Sequence, residues 1–214
     1  MKSPGNQKIR QLIKPALHIS LFFPAVYLVY GFFAGTIGIN PIETITHVTG
    51  QWGLRILLLS LAITPLARIT RSGWLIQLRR LVGLYCFFYA VLHFSIYLVF
   101  DLSLDFGFLV EDILERPYIT VGFLTFVILT LLAITSPIRI RQRMAHTMIT
   151  WNRLHQMVYA AGILSIVHFL WITRVDDTEP LIYALILALL LGYRIRTAYQ
   201  KTHRRQPNST ALYQ

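Results

Sequence analysis

The sequence is short of charged residues and of cysteine. Only 14% of its 214 residues are charged, whereas 55% are hydrophobic, and the mean hydropathy is +0.56. These values lie outside the range that is typical of soluble proteins. The one cysteine, Cys86, lies in an apolar run, which excludes a disulfide framework or a thiolate metal site within one chain. The composition therefore indicates an integral membrane protein, in which any bound metal has other ligands.

Acidic residues are also scarce, because nine of them stand against 20 lysines and arginines and leave a net charge of +11. In a soluble chain this excess would suggest a nucleic-acid partner. A membrane protein with several spans instead collects Lys and Arg in its cytoplasmic loops, so a basic balance is expected from topology alone. We therefore expect the lipid bilayer, and no nucleic acid, as the partner of this charge.

Six segments are apolar enough, or nearly so, for the roughly 20 residues that a membrane-spanning helix needs. The predicted spans are about 15–36, 51–69, 81–100, 117–137, 154–173 and 179–196. The first is predicted to be a retained anchor, because its apolar stretch is longer than that of a secretory signal. The longest predicted loop has about fifteen residues, so no soluble catalytic domain is expected. The predicted fold is an all-α, integral membrane six-helix bundle in which residues 1–214 form a single domain.

The charges of the loops alternate along the chain. The N-terminal segment, the second loop, the fourth loop and the C-terminal tail hold seventeen basic residues and no acid. The other three loops hold all nine acids and only Arg55, Arg116 and Arg174 as basic residues. Because loops rich in Lys and Arg stay in the cytoplasm, both termini are predicted to be cytoplasmic.

Histidines are the only ionisable side chains expected deep in the spans. His93 lies on the third span, and His155 and His168 lie on the fifth. Such residues are costly in a bilayer and mark function by default, although a buried neutral histidine bonded to a carbonyl is the simpler alternative. His93 follows the start of its span by twelve residues and His168 by fourteen. Both are therefore expected at a similar depth, in the outer half of the membrane.

This placement suits the axial ligation of a haem between two helices, with one imidazole on each side of the iron. Small and aromatic neighbours are expected to make room for the macrocycle, namely Gly83, Phe87, Phe88, Phe94, Gly162 and Phe169. His155 precedes His168 by thirteen residues, or about 20 Å along a helix, and the two side chains are about 140° apart on an ideal helix. His155 is therefore a candidate for a second, inner cofactor, and a face shared with His168 is not guaranteed.

Six short stretches of the chain are similar to one family. They are ITPLAR at 63–68, RRLVGLY at 79–85, RPYITVG at 116–122, WNRLHQMVY at 151–159, HFLW at 168–171 and PLIYA at 180–184. With the histidines, they resemble the ferric reductase-like transmembrane domain of NADPH oxidases and ferric reductases. Within that group they resemble the MsrQ (YedZ) family, the haem-binding membrane subunits of bacterial periplasmic methionine sulfoxide reductase systems.

The resemblance implies a function for the chain and a set of ligands. It implies His93, His155 and His168 as the haem-binding histidines, with His93 and His168 on the iron, one haem b, and FMN as a further cofactor. It also implies an inner-membrane subunit that relays electrons and is not itself the catalytic subunit. The donor would be the quinone pool or a cytosolic flavin reductase. The acceptor would be a soluble periplasmic molybdopterin enzyme that reduces methionine sulfoxide in oxidised proteins.

One position departs from the oxidase pattern. There the third helix carries a second histidine about fourteen residues before the first, and here that position is Arg79. A guanidinium is always charged and is not an ordinary haem ligand, so a second haem is in doubt. His155 is left to share a haem, to serve an inner cofactor or to bind a quinone head group. Five basic-loop residues are candidates for binding an FMN phosphate or haem propionates, namely Arg79, Arg80, Arg139, Arg141 and Arg143.

Two other classes of function remain open at this point. A self-contained ferric or NADPH oxidase would need a nucleotide-binding domain, and the sequence has no G-x-G-x-x-G fingerprint and only about twenty residues after the last span. A ferric reductase-like enzyme with a separate dehydrogenase partner meets that objection. The second class is a transporter or an assembly factor without a cofactor, in which the histidines would pack or contact substrate.

Overall fold

The computed structural model describes the backbone of residues 4–143, 148–173 and 177–203 and the side chains of residues 12–143, 151–173 and 177–200. His146, Arg174 and Asp176 lie outside these ranges, as do Lys2, Arg204, Arg205 and the side chains of Lys8, Arg10, Lys201 and His203. The described part of the chain is helical and contains no strand, which confirms the predicted all-α class.

Eight α-helices make up the described structure, and six of them are long and apolar enough to cross a membrane. They are α1 (Pro4–Phe33), α2 (Pro41–Ile69), α3 (Leu78–Ile96), α4 (Phe106–Glu115), α5 (Pro117–Ile134), α6 (Ile138–Arg143), α7 (Met148–Ile172) and α8 (Glu179–His203). A short 3-10 helix, Gly73–Gln77, precedes α3, and a π-helical turn, Tyr97–Asp101, continues it. The chain is therefore a multi-pass membrane protein, and α4 and α6 are the two helices too short to span.

The second span is longer than predicted, because α2 begins at Pro41 and not near residue 51. Its first turns carry threonines that the hydropathy pattern assigned to a loop. Thr44 donates its hydroxyl to the Asn40 carbonyl at 2.9 Å, and Thr46 donates to the Ile42 carbonyl at 2.8 Å. Because these hydroxyls are satisfied within the helix, the polar sequence does not end it.

Two helix pairs build the centre of the bundle, since α2 packs most closely on α3 and α5 packs most closely on α7. The core between them includes Ile56, Val82 and Cys86, each 1% exposed, and Tyr89, which is fully buried. By contrast, most of the large apolar side chains on α1 and α8 are exposed. Those two helices therefore present their apolar surface to the lipid.

Tyr89 attaches α1 to this core. Its hydroxyl donates to the Leu21 carbonyl at 2.9 Å and accepts from the Ala25 amide at 3.1 Å. Leu21 and Ala25 are one helical turn apart, so the hydroxyl lies within the hydrogen-bond ladder of α1. The ladder is already interrupted there by Pro24, whose nitrogen has no hydrogen to donate.

A polar cluster attaches α8 to α2. Arg55 contacts Glu179 at 2.7 Å and donates its Nε to the Tyr183 hydroxyl at 2.6 Å. The Gln51 amide donates to the other oxygen of Glu179 at 2.9 Å. The half-buried charge of Arg55 within a predicted span is therefore neutralised by an acid from the neighbouring helix.

The two ends of the bundle differ in charge, and we name them accordingly. The acidic end carries the segments 34–40, 97–116 and 177–179, and the basic end carries the segments 68–80 and 135–143. Helix α4 lies at the acidic end, where the sequence analysis predicted only a loop. That prediction was wrong because Asp105 caps the helix, accepting hydrogen bonds from the amides of Gly107 at 2.7 Å and Phe108 at 3.3 Å.

Candidate functional site

His93 lies near the C-terminal end of α3 and contacts the backbone of α2. Its Nδ1 is 2.9 Å from the carbonyl oxygen of Thr46. Because a carbonyl only accepts hydrogen bonds, Nδ1 carries the proton and Nε2 keeps its lone pair for a metal. Gly50 lies one turn further along α2, and a Cβ there would be 3.1 Å from both Cε1 and Nδ1 of the ring. The imidazole therefore rests against a stretch of helix that has no side chain.

His168 repeats this arrangement on the other helix pair. Its Nδ1, on α7, donates to the carbonyl oxygen of Tyr118 on α5 at 2.7 Å. Gly122 lies one turn further along α5, where a Cβ would be 2.7 Å from Cε1 and 2.8 Å from Nδ1 of His168. In both pairs the ring is therefore held by a carbonyl and by a glycine four residues later.

The two imidazoles face each other across the bundle. Their ring centres are 6.3 Å apart, and their planes are inclined at 83°. A metal lies about 2.0–2.1 Å from the Nε2 of an imidazole ligand, and Nε2 lies about 1.1 Å from the centre of its ring. Two such ligands in line on one metal therefore have ring centres about 6.3 Å apart. The distance between the rings is thus the one that a single iron with two axial imidazoles requires.

A cavity of about 660 Å³ surrounds the two rings. This is the size of pocket that holds a large cofactor. Its walls are mostly apolar and include Phe94, Phe123, Phe126 and Phe169, and Phe94 stacks on Phe126 with 4.7 Å between ring centres. The donor set and the cavity together fit a haem, with aromatic side chains to pack on a macrocycle.

Helix α4 forms part of the cavity wall at the acidic end, through Phe108, Leu109 and Asp112. The Tyr97 hydroxyl donates to the Asp112 carboxylate, and Arg116 Nε lies 3.2 Å from the same group. The negative charge of Asp112 raises the pKa of the Arg116 guanidinium. The segment that was predicted to be a plain loop therefore helps to enclose the site.

His155 lies apart from the other two histidines and does not line this cavity. Its ring stacks on Trp151, with 4.0 Å between the centres, and its Nδ1 is 3.3 Å from the Trp151 carbonyl. Arg141 lies over the Trp151 ring at 4.9 Å, and both Arg79 and Arg141 interact electrostatically with His155. The structure thus brings together His93 and His168 and places His155 in a basic environment nearer the other end of the bundle.

Sequence reasoning chose some of the wrong small residues. Phe94 and Phe169 line the cavity as expected, whereas Gly83 and Gly162 do not. Instead, the nearest atoms to a Cβ at these positions belong to Ser60 and Leu187. The glycines that matter to the histidines are Gly50 and Gly122, which the analysis did not single out. Gly122 lies inside a predicted span, whereas Gly50 precedes the predicted start of the second span, so the sequence offered a signal only for Gly122.

Comparisons with known proteins show the family of the chain. The model of the family described as "Ferric reductase like transmembrane component" matches residues 49–166. A "Protein-methionine-sulfoxide reductase heme-binding subunit MsrQ" from Xanthomonas campestris pv. campestris (strain 8004) is 43% identical over 188 residues, covering 85% of each chain. Proteins of the same name from Xanthomonas axonopodis pv. citri (strain 306) and Herminiimonas arsenicoxydans are 41% and 43% identical. The match to the Xanthomonas axonopodis protein covers 90% of this chain and 91% of that relative, and the match to the Herminiimonas arsenicoxydans protein covers 89% of this chain and 87% of that relative. The chain therefore belongs to the MsrQ family of ferric reductase-like membrane proteins.

Proposed function

We propose that this protein is a membrane b-type cytochrome in which His93 and His168 hold one haem b. The observation that carries the proposal is the 6.3 Å between the two ring centres. It is supported by the hydrogen bonds that leave Nε2 of each ring free to bind a metal. All six spans form one ferric reductase-like domain in this proposal, and the cofactor lies between its two central helix pairs.

The protein's own residues determine the chemistry. A haem held by His93 and His168 would supply a one-electron couple, and with an imidazole from each residue on the iron it would favour outer-sphere electron transfer over oxygen or substrate chemistry. The Thr46 and Tyr118 carbonyls accept the Nδ1 hydrogens and hold both rings in place. The apolar walls exclude water, and α4 restricts access from the acidic end. The protein therefore acts as an electron-transfer subunit and has no catalytic residue of its own.

The charge distribution supports a direction for the electrons. We take the basic end as cytoplasmic and the acidic end as periplasmic in a bacterial inner membrane, with both termini in the cytoplasm. Electrons enter from the quinone pool or a cytosolic flavin reductase and leave to a periplasmic molybdopterin methionine sulfoxide reductase. That enzyme repairs oxidised periplasmic proteins in this proposal, which is supported by relatives that are named as haem-binding subunits of a protein-methionine-sulfoxide reductase.

The basic end offers a place for FMN. Arg141 lies over Trp151, and Arg194 lies over Tyr159 with its guanidinium 5.7 Å from the ring centre. Arg79 interacts electrostatically with both Tyr159 and Arg194. Three guanidiniums beside aromatic rings suit the phosphate and the flat ring of a flavin. We propose that FMN binds here and that His155 contributes to this inner site.

The first experiment is a dithionite-reduced minus oxidised visible spectrum of the detergent-purified protein, with haem and flavin quantified in the same sample. We expect a sharp low-spin b-type signal with about one haem per chain, together with FMN. A colourless protein from haem-replete cells would contradict the proposal and favour a transporter or an assembly factor without a cofactor. Haem without flavin would contradict only the FMN site.

A further inference from the structure

The two glycines beside the histidines are more than packing residues. We propose that Gly50 and Gly122 are positioning residues that set the planes of the two axial imidazoles nearly perpendicular to each other. The inference rests on the proposed function, because it concerns how His93 and His168 are presented to the haem. It adds a role for two residues that do not contact the iron.

The reason begins with what each hydrogen bond leaves undetermined. The bond from Nδ1 to the Thr46 or Tyr118 carbonyl fixes one atom of each ring. Because an N–H···O bond tolerates a range of angles, each ring keeps some freedom to turn about the bond that joins it to its Cβ, a torsion that is otherwise broad. A second contact is therefore needed to set the plane of each imidazole.

Glycine supplies that second contact by removing a side chain. The three nearest atoms to a Cβ at Gly50 are Cε1, Nδ1 and Nε2 of His93, at 3.1, 3.1 and 3.7 Å. The three nearest to a Cβ at Gly122 are the same atoms of His168, at 2.7, 2.8 and 3.2 Å. Each ring thus lies edge-on against the bare backbone, in an orientation that any Cβ would oppose.

Close packing between helices is the ordinary reason for glycine in a membrane span. That explanation predicts that backbone or general side-chain atoms of a neighbouring helix lie nearest to the missing Cβ. Here every one of the nearest atoms belongs to the imidazole of a histidine. The same geometry occurs at both helix pairs, although glycine is a poor helix former.

The orientation has an electronic consequence. The ring planes are inclined at 83°, and perpendicular axial imidazoles leave two iron d orbitals nearly equal in energy. A ferric haem ligated in this way gives a highly anisotropic low-spin EPR signal, whereas parallel imidazoles give a rhombic signal with a smaller largest g value. Since 83° is close to the maximum of 90°, a rotation of one ring by more than about 14° in either sense reduces the largest g value.

The distances predict a graded effect. A Cβ at Gly122 would clash with the ring of His168, because it would lie 2.7 Å from Cε1. Gly122→Ala therefore forces the ring to rotate or to withdraw. A Cβ at Gly50 requires a shift of only a few tenths of an ångström, so Gly50→Ala has a smaller effect. Gly83→Ala is the matched control, because it adds the same methyl group to a membrane helix at an ordinary distance of 3.9 Å from Ser60.

The test is EPR spectroscopy of the oxidised holoprotein, with carbon monoxide binding to the reduced protein and the haem content measured on the same samples. Wild type and Gly83→Ala should give the same anisotropic signal and bind no carbon monoxide. Gly50→Ala should change the largest g value slightly, and Gly122→Ala should lower it by more or open a site for carbon monoxide by displacing His168. If Gly122→Ala does not fold, as judged by gel filtration, Gly50→Ala carries the test.

Three outcomes would overturn the inference. Unchanged EPR signals in folded Gly50→Ala and Gly122→Ala proteins would show that the glycines do not set the ring planes. Equal shifts in all three variants would point to a general loosening of the bundle. A rhombic signal in the wild type would show that the rings are not perpendicular. A wild type without haem would instead contradict the proposed function itself.

Discussion

The two histidines that we propose as haem ligands are held in the same way but are not interchangeable, because each belongs to a different helix pair. We expect His93→Ala and His168→Ala each to abolish haem retention, since one imidazole alone leaves the iron with a single axial bond. Haem per protein is measured as the pyridine haemochrome after purification. His203→Ala, in the tail, serves as the control and should keep its haem. A normal low-spin spectrum in both ligand variants would refute the assignment.

Tyr89 allows a test of stability at a single atom. Tyr89→Phe removes the hydroxyl that bridges Leu21 and Ala25 of α1. We expect a loss of about 1–2 kcal/mol in the free energy of unfolding, because two hydrogen bonds between helices disappear in an apolar setting. Thermal unfolding in detergent measures the change. Tyr27→Phe is the control, since Tyr27 is 62% exposed, and an equal loss there would contradict the role of the bridge.

At the scale of elements, hydropathy and charge predicted the six spans well because a bilayer imposes a strict length and a strict polarity on them. The similar depth of His93 and His168 was also predictable, since their residue counts from the ends of their spans give depth. The glycine contacts were not, because they depend on the rotation of each helix about its axis. Nothing in the spacing of Gly50 and His93 along the chain determines that rotation.

Helix α4 was missed for a different reason. It has only ten residues, so it is too short for a span and its apolar residues are diluted by acids in any long window. The local signal was present in Asp105, which caps the helix, and in the apolar residues Phe108 and Leu109, which turn towards the cavity. Short helices at a membrane surface are set by capping and by amphipathic pattern rather than by total hydropathy.

The cap of α4 provides a test of its role at the mouth of the cavity. Asp105→Ala should cost about 1 kcal/mol of local stability. Amide hydrogen exchange over residues 106–115 should then be about five-fold faster. Reduction of the haem by the water-soluble reductant dithionite should also become faster, because Phe108, Leu109 and Asp112 form part of the cavity wall.

Glu111→Gln is the control for this experiment. Glu111 is an exposed residue of the same helix, and its substitution removes one negative charge, as Asp105→Ala does, without changing the cap. Its exchange and reduction rates should match the wild type. If Asp105→Ala accelerates exchange in α4 while the reduction rate stays unchanged, α4 does not limit access to the haem.

At the scale of the whole molecule, the orientation in the membrane decides whether electrons leave on the periplasmic side. The acidic end lies nearer the two ligand histidines, and the basic end carries the arginines around His155. Because the basic loops are expected to stay in the cytoplasm, a cysteine at the acidic end should react with a membrane-impermeant maleimide in cells with a permeable outer membrane. A cysteine in the C-terminal tail should not react.

The chain is well suited to this measurement, since its own Cys86 is buried and 1% exposed. Glu111→Cys on α4 should be labelled in intact cells, and Thr210→Cys should be labelled only after the inner membrane is broken. Wild type reports any background from Cys86. The opposite pattern would place α4 in the cytoplasm. The basic end would then be periplasmic, so electrons would have to leave at the end that carries the arginines. That end lies farther from His93 and His168, so a periplasmic reductase would be separated from the haem by the longer of the two distances. The orientation of the bundle therefore connects the geometry of the two histidines with the proposed periplasmic acceptor.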